Sequence, residues 1–168
     1  DTGAYNLSFL NVTAGPLSNG TDPDGGPIAS SEWKTGQMQL VGDFDAFTFS
    51  ATAGDRIVFG TVLTSGTFDT NLTLYPPGGG AAVVNTFTGD RLDTQLAQTG
   101  TYTVVVEDYY IASTGNYSAS FLNITAGPLT NGSDLDGGLI VSAEVKSAAF
   151  TTAPDFDAWR FTGTNGDR

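Results

Sequence analysis

Closely spaced aspartates in two matching loops are the residues of this sequence that best fit a chemical role. The loop 19–26 reads Asn-Gly-Thr-Asp-Pro-Asp-Gly-Gly, and 131–138 repeats it with Ser133 and Leu135 as the only changes. Ca²⁺ binds about six to eight oxygen atoms, often from acidic residues on a loop in which glycine permits a sharp turn. The two loops therefore predict two calcium sites. The predicted ligands are Asn19, Asp22, Asp24, Asn131, Asp134 and Asp136.

A second interpretation of these loops needs no metal. Asn and Asp side chains readily accept hydrogen bonds from nearby backbone N–H groups, and such turns form without a cation. The loops also lack the glutamate that closes the EF-hand pattern. Asp43 and Asp45 follow the first loop and could add ligands, although aspartates at a strand edge are more often structural. Both interpretations remain open from the sequence.

Catalytic chemistry has few suitable side chains in this sequence, which contains no His and no Cys. A Ser-His-Asp or Cys-His arrangement needs an imidazole to move protons near neutral pH, and zinc sites depend on His and Cys ligands. A pair of carboxylates acting on glycosides is compatible with so many Asp residues, but no pair is marked by a flanking substrate cleft. We therefore expect no enzymatic activity and no organic cofactor.

Asn-x-Ser/Thr triplets, the acceptor pattern for N-linked glycans, are more frequent here than random placement would give. At Asn6, Asn71 and Asn116, strand alternation would place the Asn and the following hydroxyl together on a solvent-facing side. A Thr-rich strand with one wet face also produces such triplets without carrying a glycan. The predicted glycosylation sites are Asn6, Asn11, Asn19, Asn71, Asn116, Asn123 and Asn131.

Two adjacent tyrosines are the candidate ligand-binding residues. Tyr109 and Tyr110 lie in a predicted loop at 107–111, where their rings could stack on a sugar or a peptide. The same residues could instead hold the loop against the end of the domain and bind nothing.

The charge balance excludes several classes of partner. The chain has 18 acidic and 6 basic residues, for a formal net charge of −12. The basic residues are scattered, so they form no surface that would neutralise a row of phosphates, and we expect no nucleic-acid binding. No apolar run is long enough to span a membrane, so membrane insertion is not expected. No export signal is visible, so we expect such a signal to lie outside this stretch or to have been removed.

An internal repeat organises the chain. Residues 3–56 align without a gap with residues 115–168 at an offset of 112, and 30 of the 54 aligned positions are identical. The predicted units are the last strand of a preceding module (1–12), a complete module (13–124) and the N-terminal part of a following module (125–168).

The last predicted unit contains aromatic residues without a complete core. Phe150, Phe156, Trp159 and Phe161 would form an exposed apolar patch of a size that is rare on a monomer. We expect more of the same chain, or a neighbouring chain, to cover them. A truncated chain is the alternative explanation of the partial units.

Alternation of apolar and polar residues with a period of two marks the strands. Clusters of Gly, Pro, Asn and Asp typical of turns separate them. These features predict an all-β fold, with jelly-roll-like antiparallel β-sandwich modules in tandem and a period of 112 residues. The apolar strand positions are Tyr5, Leu7, Phe9; Phe47, Phe49; Ile57, Phe59; Leu72, Leu74; Tyr102, Val104, Val106; and Tyr117, Ala119, Phe121.

The order of four motifs resembles the bacterial pre-peptidase C-terminal domain family. Asp-Phe-Asp-Ala-Phe at 43–47 is followed by a Leu-x-Leu-Tyr strand within 68–75, a Gly-x-Tyr-x-Val strand at 100–104 and a closing Gly-x-Tyr strand at 115–117. The resemblance implies an extracellular, non-catalytic β-sandwich, appended to secreted hydrolases or repeated in surface proteins. Some relatives bind calcium or fibrous substrates. This chain departs from the pattern because it is repeated and carries no peptidase.

These observations favour a structural function. The leading hypothesis is a repeat of a glycosylated, calcium-stiffened extracellular filament or cell-surface stalk. Modules or subunits would be joined end to end, and a strand at 3–12 would complete the sheet of a neighbour. The expected partners are copies of the chain or its neighbouring modules. The alternative is an adhesion module that attaches a secreted hydrolase or adhesin to a polysaccharide or a fibrous protein.

Overall fold

The computed structural model describes residues 2–132 and 134–168, and all regular secondary structure within these ranges is β. Across the same ranges, no helix has the length and apolar character needed to cross a membrane. The strands are β1 (Gly26–Pro27), β2 (Glu32–Met38), β3 (Phe44–Ala51), β4 (Arg56–Gly66), β5 (Thr70–Tyr75), β6 (Val84–Asn85), β7 (Arg91–Gln95), β8 (Gly100–Asp108), β9 (Gly115–Asn123), β10 (Gly138–Leu139) and β11 (Trp159–Arg160).

Nine of these strands form two sheets. The first has the order β1-β3-β8-β5-β6, with β8 at its centre between antiparallel β3 and β5, and with the short β1 parallel to β3. The second has the order β2-β9-β4-β7 and is antiparallel throughout. In the second sheet β9, the last of the nine in sequence, lies between β2 and β4. A strand from the beginning of the module, β2, is therefore hydrogen-bonded to the strand at its end, β9.

The hydrophobic core lies between the two sheets. Alternate residues of each strand face inward, so Phe47 and Phe49 from β3 meet Phe59 from β4 and Phe121 from β9. The rings of Phe49 and Phe121 stack with their centres 4.2 Å apart. Each buried side chain of this size stabilises the fold by about 1.5–3 kcal/mol. The structure confirms the predicted all-β class and the antiparallel β-sandwich.

Five of the six predicted strands are confirmed, and the strand at Tyr5, Leu7 and Phe9 is not. Residues 2–10 contain no strand, and these three side chains are 85%, 86% and 89% exposed. Their counterparts 112 positions later are buried in β9, which has a strand on each side. A strand needs a neighbour for its backbone N–H and C=O groups, and no described residue pairs with 2–10. The predicted module boundaries remain a prediction.

The second copy of the repeated sequence adopts much of the local structure of the first. β10 pairs parallel with β11 at Gly138 and Trp159, as β1 pairs with β3 at positions 112 residues earlier. Equivalent backbone hydrogen bonds, from Ile28 to Thr48 and from Ile140 to Arg160, are both 2.9 Å long. The repeated sequence therefore encodes the same turn twice.

The second copy does not form a closed core among the described residues. Residues 144–150, the counterpart of β2, contain no strand. Phe150 and Phe161 are 78% and 73% exposed, whereas Met38 and Phe49 at the aligned positions are buried in the module. Phe156 and Trp159 are half-buried. The second copy thus has the turn of a module without the strands that would cover its apolar face.

Candidate metal centre

The first candidate centre is built on an asparagine-centred turn. Oδ1 of Asn19 accepts hydrogen bonds from the backbone N of Thr21 (2.8 Å), its hydroxyl (2.7 Å) and the backbone N of Asp22 (3.2 Å). The N–H of Asn19 donates to the carbonyl of Asp22 at 2.6 Å. Such a turn is expected of Asn followed by Gly. It fixes where the carboxylate of Asp22 points.

A close backbone approach brings the loop to β3. Gly25 has a φ of +102°, and a Cβ on it would lie 2.4 Å from the carbonyl oxygen of Ala46. Only glycine avoids both the strained backbone conformation and this clash. The approach places Asp24, the preceding residue, beside Asp45 in β3. Carboxylate oxygens of Asp22, Asp24 and Asp45 lie within 4.8 Å of one another.

Asp45 is the decisive member of this cluster. It has no exposed surface, its Oδ2 accepts a 2.6 Å hydrogen bond from the Tyr117 hydroxyl, and its Oδ1 has no hydrogen-bond partner within 2–132 and 134–168. Oδ1 of Asp22 is buried and also lacks a partner. Unpartnered buried oxygens are costly. A hard cation would satisfy both of them.

Burial sets the protonation of the cluster. It raises the pKa of Asp45 to about 8; the Tyr117 hydrogen bond lowers that pKa, and the charges of Asp22, Asp24 and Asp43 raise it. Burial also raises the pKa of Asp22, followed by the charge of Asp43. Three carboxylates this close repel one another without a counter-ion. A divalent cation would favour their ionised forms.

The residues fit a calcium ion, with one change to the predicted ligands. Oxygens around one Ca²⁺ lie about 2.3–2.6 Å from it, so three mutually close carboxylates can share an ion. Asn19 stays a predicted ligand, and its Oδ1 accepts the hydrogen bonds of the turn. Asp43 lies outside the carboxylate cluster, and its oxygens accept from the backbone N of Gln39 and Phe44. Asp45 is the ligand candidate that the predicted set omits.

A second cluster repeats the first 112 residues later. Carboxylate oxygens of Asp134, Asp136 and Asp157 lie within 4.8 Å of one another, and the buried Oδ1 of Asp157 has no hydrogen-bond partner among the described residues. Burial raises the pKa of Asp134 and of Asp157. Oδ1 of Asn131 accepts from the backbone N of Asp134, as Asn19 does in the first turn. The duplicated aspartates therefore form duplicated clusters.

The two tyrosines of the β8–β9 loop lie at the surface. Tyr109 and Tyr110 are 40% and 64% exposed, and their rings meet edge to face with centres 5.0 Å apart. Asp108 shapes the loop, because its Oδ2 accepts from the backbone N of Ala112 (2.7 Å) and Ser113 (2.8 Å). The pair is thus presented by an ordered turn.

The seven glycosylation triplets differ in the exposure of their asparagines. Asn6, Asn11, Asn19 and Asn116 are exposed, and Asn131 is half-buried. The expected exposure of Asn71 is wrong, because it is 6% exposed and its amide donates to Glu107 at 2.7 Å. Asn123 is 5% exposed and its amide donates to Asp55. A glycan needs an accessible amide nitrogen, so the fold disfavours these two sites.

Comparison with known proteins finds similarity only among solved structures. No protein-family model matches the chain, and no curated protein matches it. The periplasmic g-type lysozyme inhibitor PliG of Aeromonas hydrophila is 18% identical, with a TM-score of 0.46 over 58% of this chain and 96% of that one. The pre-peptidase C-terminal domain of a Bacillus anthracis collagenase is 16% identical, with a TM-score of 0.47 over 58% and 94%.

A second PliG, from Salmonella Typhimurium, is similar at the same level. It is 14% identical, with a TM-score of 0.45 over 59% of this chain and 97% of that one. A pre-peptidase C-terminal domain is thus among the solved structures similar to this chain, at low identity. The activities of these proteins carry no conclusion for this one at that level of likeness.

Proposed function

We propose that the chain is a non-catalytic repeat of an extracellular filament or cell-surface stalk, in which β-sandwich modules follow one another end to end. Each module would bind calcium at the loop that opens it. The chain would be glycosylated at its exposed Asn-x-Ser/Thr sites. Its partners would be further copies of the same module.

One observation carries this proposal: the second turn and acidic cluster stand directly after the last strand of the first module. β9 ends at Asn123, and the second Asn-centred turn begins at Asn131. The backbone pairing of β10 with β11 repeats that of β1 with β3. Tandem arrays repeat one structural unit along the chain, and each unit contacts its neighbours.

Calcium would neutralise the carboxylates at each opening loop. The cluster around Asp45 concentrates acidic side chains in a partly buried site, and the chain as a whole carries a net charge of −12. Ionised carboxylates with unpartnered buried oxygens oppose folding. A bound cation stabilises the folded state by mass action. The folded module would therefore be more stable in calcium-rich extracellular fluid than without calcium.

The exposed N-terminal segment suggests strand complementation. Tyr5, Leu7 and Phe9 alternate with polar residues, and their counterparts fill the centre of the second sheet as β9. An unpaired, apolar strand sequence is a template for pairing. We propose that it completes the second sheet of a preceding module, in the place that β9 takes here.

Electron microscopy of the native material tests this function. The expected result is a filament with an axial period near the length of one sandwich, straight in calcium and flexible after chelation. Globular particles with no axial period, from intact native protein in calcium, would contradict the proposal. Mass spectrometry of the same material would report the glycans.

A binding module is the second candidate, supported by Tyr109 and Tyr110. Exposed aromatic pairs on an ordered loop are suited to stacking on sugars or on apolar peptide side chains. Ile111, the next residue, has a φ of +52°, which is strained for a β-branched side chain. An array of polysaccharides and fibrous proteins probed with the wild type and Y109A/Y110A would test it. Equal binding, or none, would leave only the structural function.

A further inference from the structure

Hydrogen bonds join the first module to the start of the repeat that follows it. Leu129 is 6% exposed, and the carbonyl of Pro128 accepts hydrogen bonds from the hydroxyls of Ser30 (2.7 Å) and Ser31 (3.2 Å). The side-chain amide of Asn131 donates to the backbone carbonyl of Ser31. Residues 128–131, at the start of the second repeat, are therefore held beside the start of β2.

An aromatic ring of the second repeat packs on the four-stranded sheet of the first. Phe156 covers Gly60 of β4, where an added Cβ would lie 2.5 Å from Cζ of the ring. The guanidinium carbon of Arg91 in β7 lies 5.5 Å from the centre of the same ring, within the range of a cation–π contact. Position 60 thus needs glycine for the ring to sit there.

Arg160 adds a contact from a position where the two repeats differ. One guanidinium nitrogen donates to the carbonyls of Ile124 (2.7 Å) and Thr125 (3.0 Å), which follow β9. The aligned residue of the first repeat is Thr48, which has no guanidinium. Hydrogen bonds from a charged donor are stronger than neutral ones. This difference between the copies falls where the second copy touches the first.

We propose that these contacts form a rigid joint that sets one orientation between successive modules. We further propose that Leu17, Asn19 and Phe44 form the matching surface for the end of a preceding module. They align with the joint residues 112 positions later, and all three are half-buried or exposed here. The occupant of that surface is therefore another copy of the end described above. This inference rests on the proposed tandem function.

A fixed joint gives the proposed filament a defined shape. Leu, Asn and Phe occupy the aligned joint positions of both copies, and Arg160 adds a contact at the second copy. Repetition of the shared contacts repeats the same rotation along the chain, which produces a straight or helical rod. The carboxylate of Asp157 adjoins the joint through its neighbour Phe156, so cation binding at the second cluster and docking of the ring involve adjacent residues.

Limited proteolysis of the 168-residue chain tests the joint. Gly60→Val removes the space for the Phe156 ring, while valine suits a strand. Chymotrypsin should then cleave after Phe156 and Trp159 about fivefold faster or more, because undocked segments are cut first. The melting temperature of the sandwich, followed by circular dichroism, should fall little. If Gly60→Val unfolds the sandwich, Arg160→Thr serves as the second variant. It leaves the core untouched and should also accelerate the cleavage, by a smaller factor.

Thr64→Val is the matched control, because it places valine in the same strand as Gly60 at an exposed residue outside the joint. Its cleavage rate should equal that of the wild type. Equal cleavage of Gly60→Val, Arg160→Thr and wild type would overturn the joint.

A longer native chain tests the surface that receives the preceding module. Phe44→Ser should convert straight rods into flexible chains in electron micrographs, whereas Phe87→Ser, at a side chain 63% exposed in a loop after β6, should not. Rods unchanged by Phe44→Ser would overturn the assigned surface and leave the tandem function standing. Absence of an axial period in the wild type would instead contradict the tandem function itself.

Discussion

The hydroxyl of Tyr117 donates a 2.6 Å hydrogen bond to Oδ2 of Asp45, and neither residue has exposed surface. Tyr117 belongs to β9 in the four-stranded sheet and Asp45 to β3 in the five-stranded sheet. One hydrogen bond therefore ties the acidic cluster to the contact between the two sheets. The ionisation state of the cluster therefore affects the contact between the two sheets.

Without divalent cations, the protein should lose stability as the pH rises from about 4 to about 8. Burial raises the pKa of Asp45 from 3.8 to about 8 in the folded state. Within this window the folded state binds more protons than the unfolded state, so the free energy of unfolding falls as the pH rises. The loss should reach several kcal/mol. Urea unfolding in EGTA at pH 5 and pH 8 would measure it.

Asp45→Asn provides the control for this pH dependence. The amide cannot ionise, so most of the difference between pH 5 and pH 8 should disappear. The lowered pKa of Asp108 keeps that group ionised at both values, so it does not interfere. A wild type whose stability is equal or greater at pH 8 would show that burial of Asp45 does not govern the transition.

Calcium should stabilise the wild type, and Asp45→Asn should lose the part of this stabilisation that the first cluster contributes. At a free calcium concentration of about 100 times the dissociation constant, one site contributes about 2.7 kcal/mol. Isothermal titration calorimetry and melting curves with and without calcium would measure binding and stabilisation. Asp90→Asn changes charge equally at an exposed residue outside both clusters. A loss of the same size in both variants would indicate a general charge effect.

Tyr117→Phe should destabilise the calcium-free protein more at pH 8 than at pH 5. The lost donor leaves Oδ2 of Asp45 unpaired, at a cost of about 1–3 kcal/mol that is greatest when the carboxylate is ionised. Tyr102→Phe is the matched control, because the Tyr102 hydroxyl bonds only to the uncharged backbone of Gln98. The loss of stability in Tyr102→Phe should be the same at both pH values. Chemical denaturation of the two variants would measure the difference.

Glycan occupancy should follow side-chain exposure. In the native protein we expect glycans at Asn6, Asn11, Asn19 and Asn116, and none at Asn71 or Asn123. Peptide mapping by mass spectrometry before and after enzymatic release of glycans would give the occupancy of each site. An occupied Asn71 would be incompatible with its hydrogen bond to Glu107.

Local sequence patterns predicted the strands better than the site. Alternating residues such as Tyr102, Val104 and Val106 bury one face of a strand wherever that strand lies. From the sequence alone Asp45 is only a possible additional ligand, and its hydrogen-bond partner Tyr117 is 72 positions away. No local pattern contains that contact.

A further difference has its physical cause in the tertiary structure. Asn71 lies on the outer face of β5, as alternation predicts, yet neighbouring β8 supplies Glu107, which covers it. The strand order that brings Asn71 and Glu107 together depends on long-range contacts. The alternation of apolar and polar residues within one strand does not specify that order.

The position of β9 dictates when a module can finish folding. β2 and β4 lie on either side of it and are joined through it alone in their sheet. A chain emerging from a ribosome or a secretion channel therefore holds an unfinished sheet until its final segment has appeared. Each repeat must be released whole before it can become resistant to proteases, so assembly of a long chain advances in steps of one complete repeat.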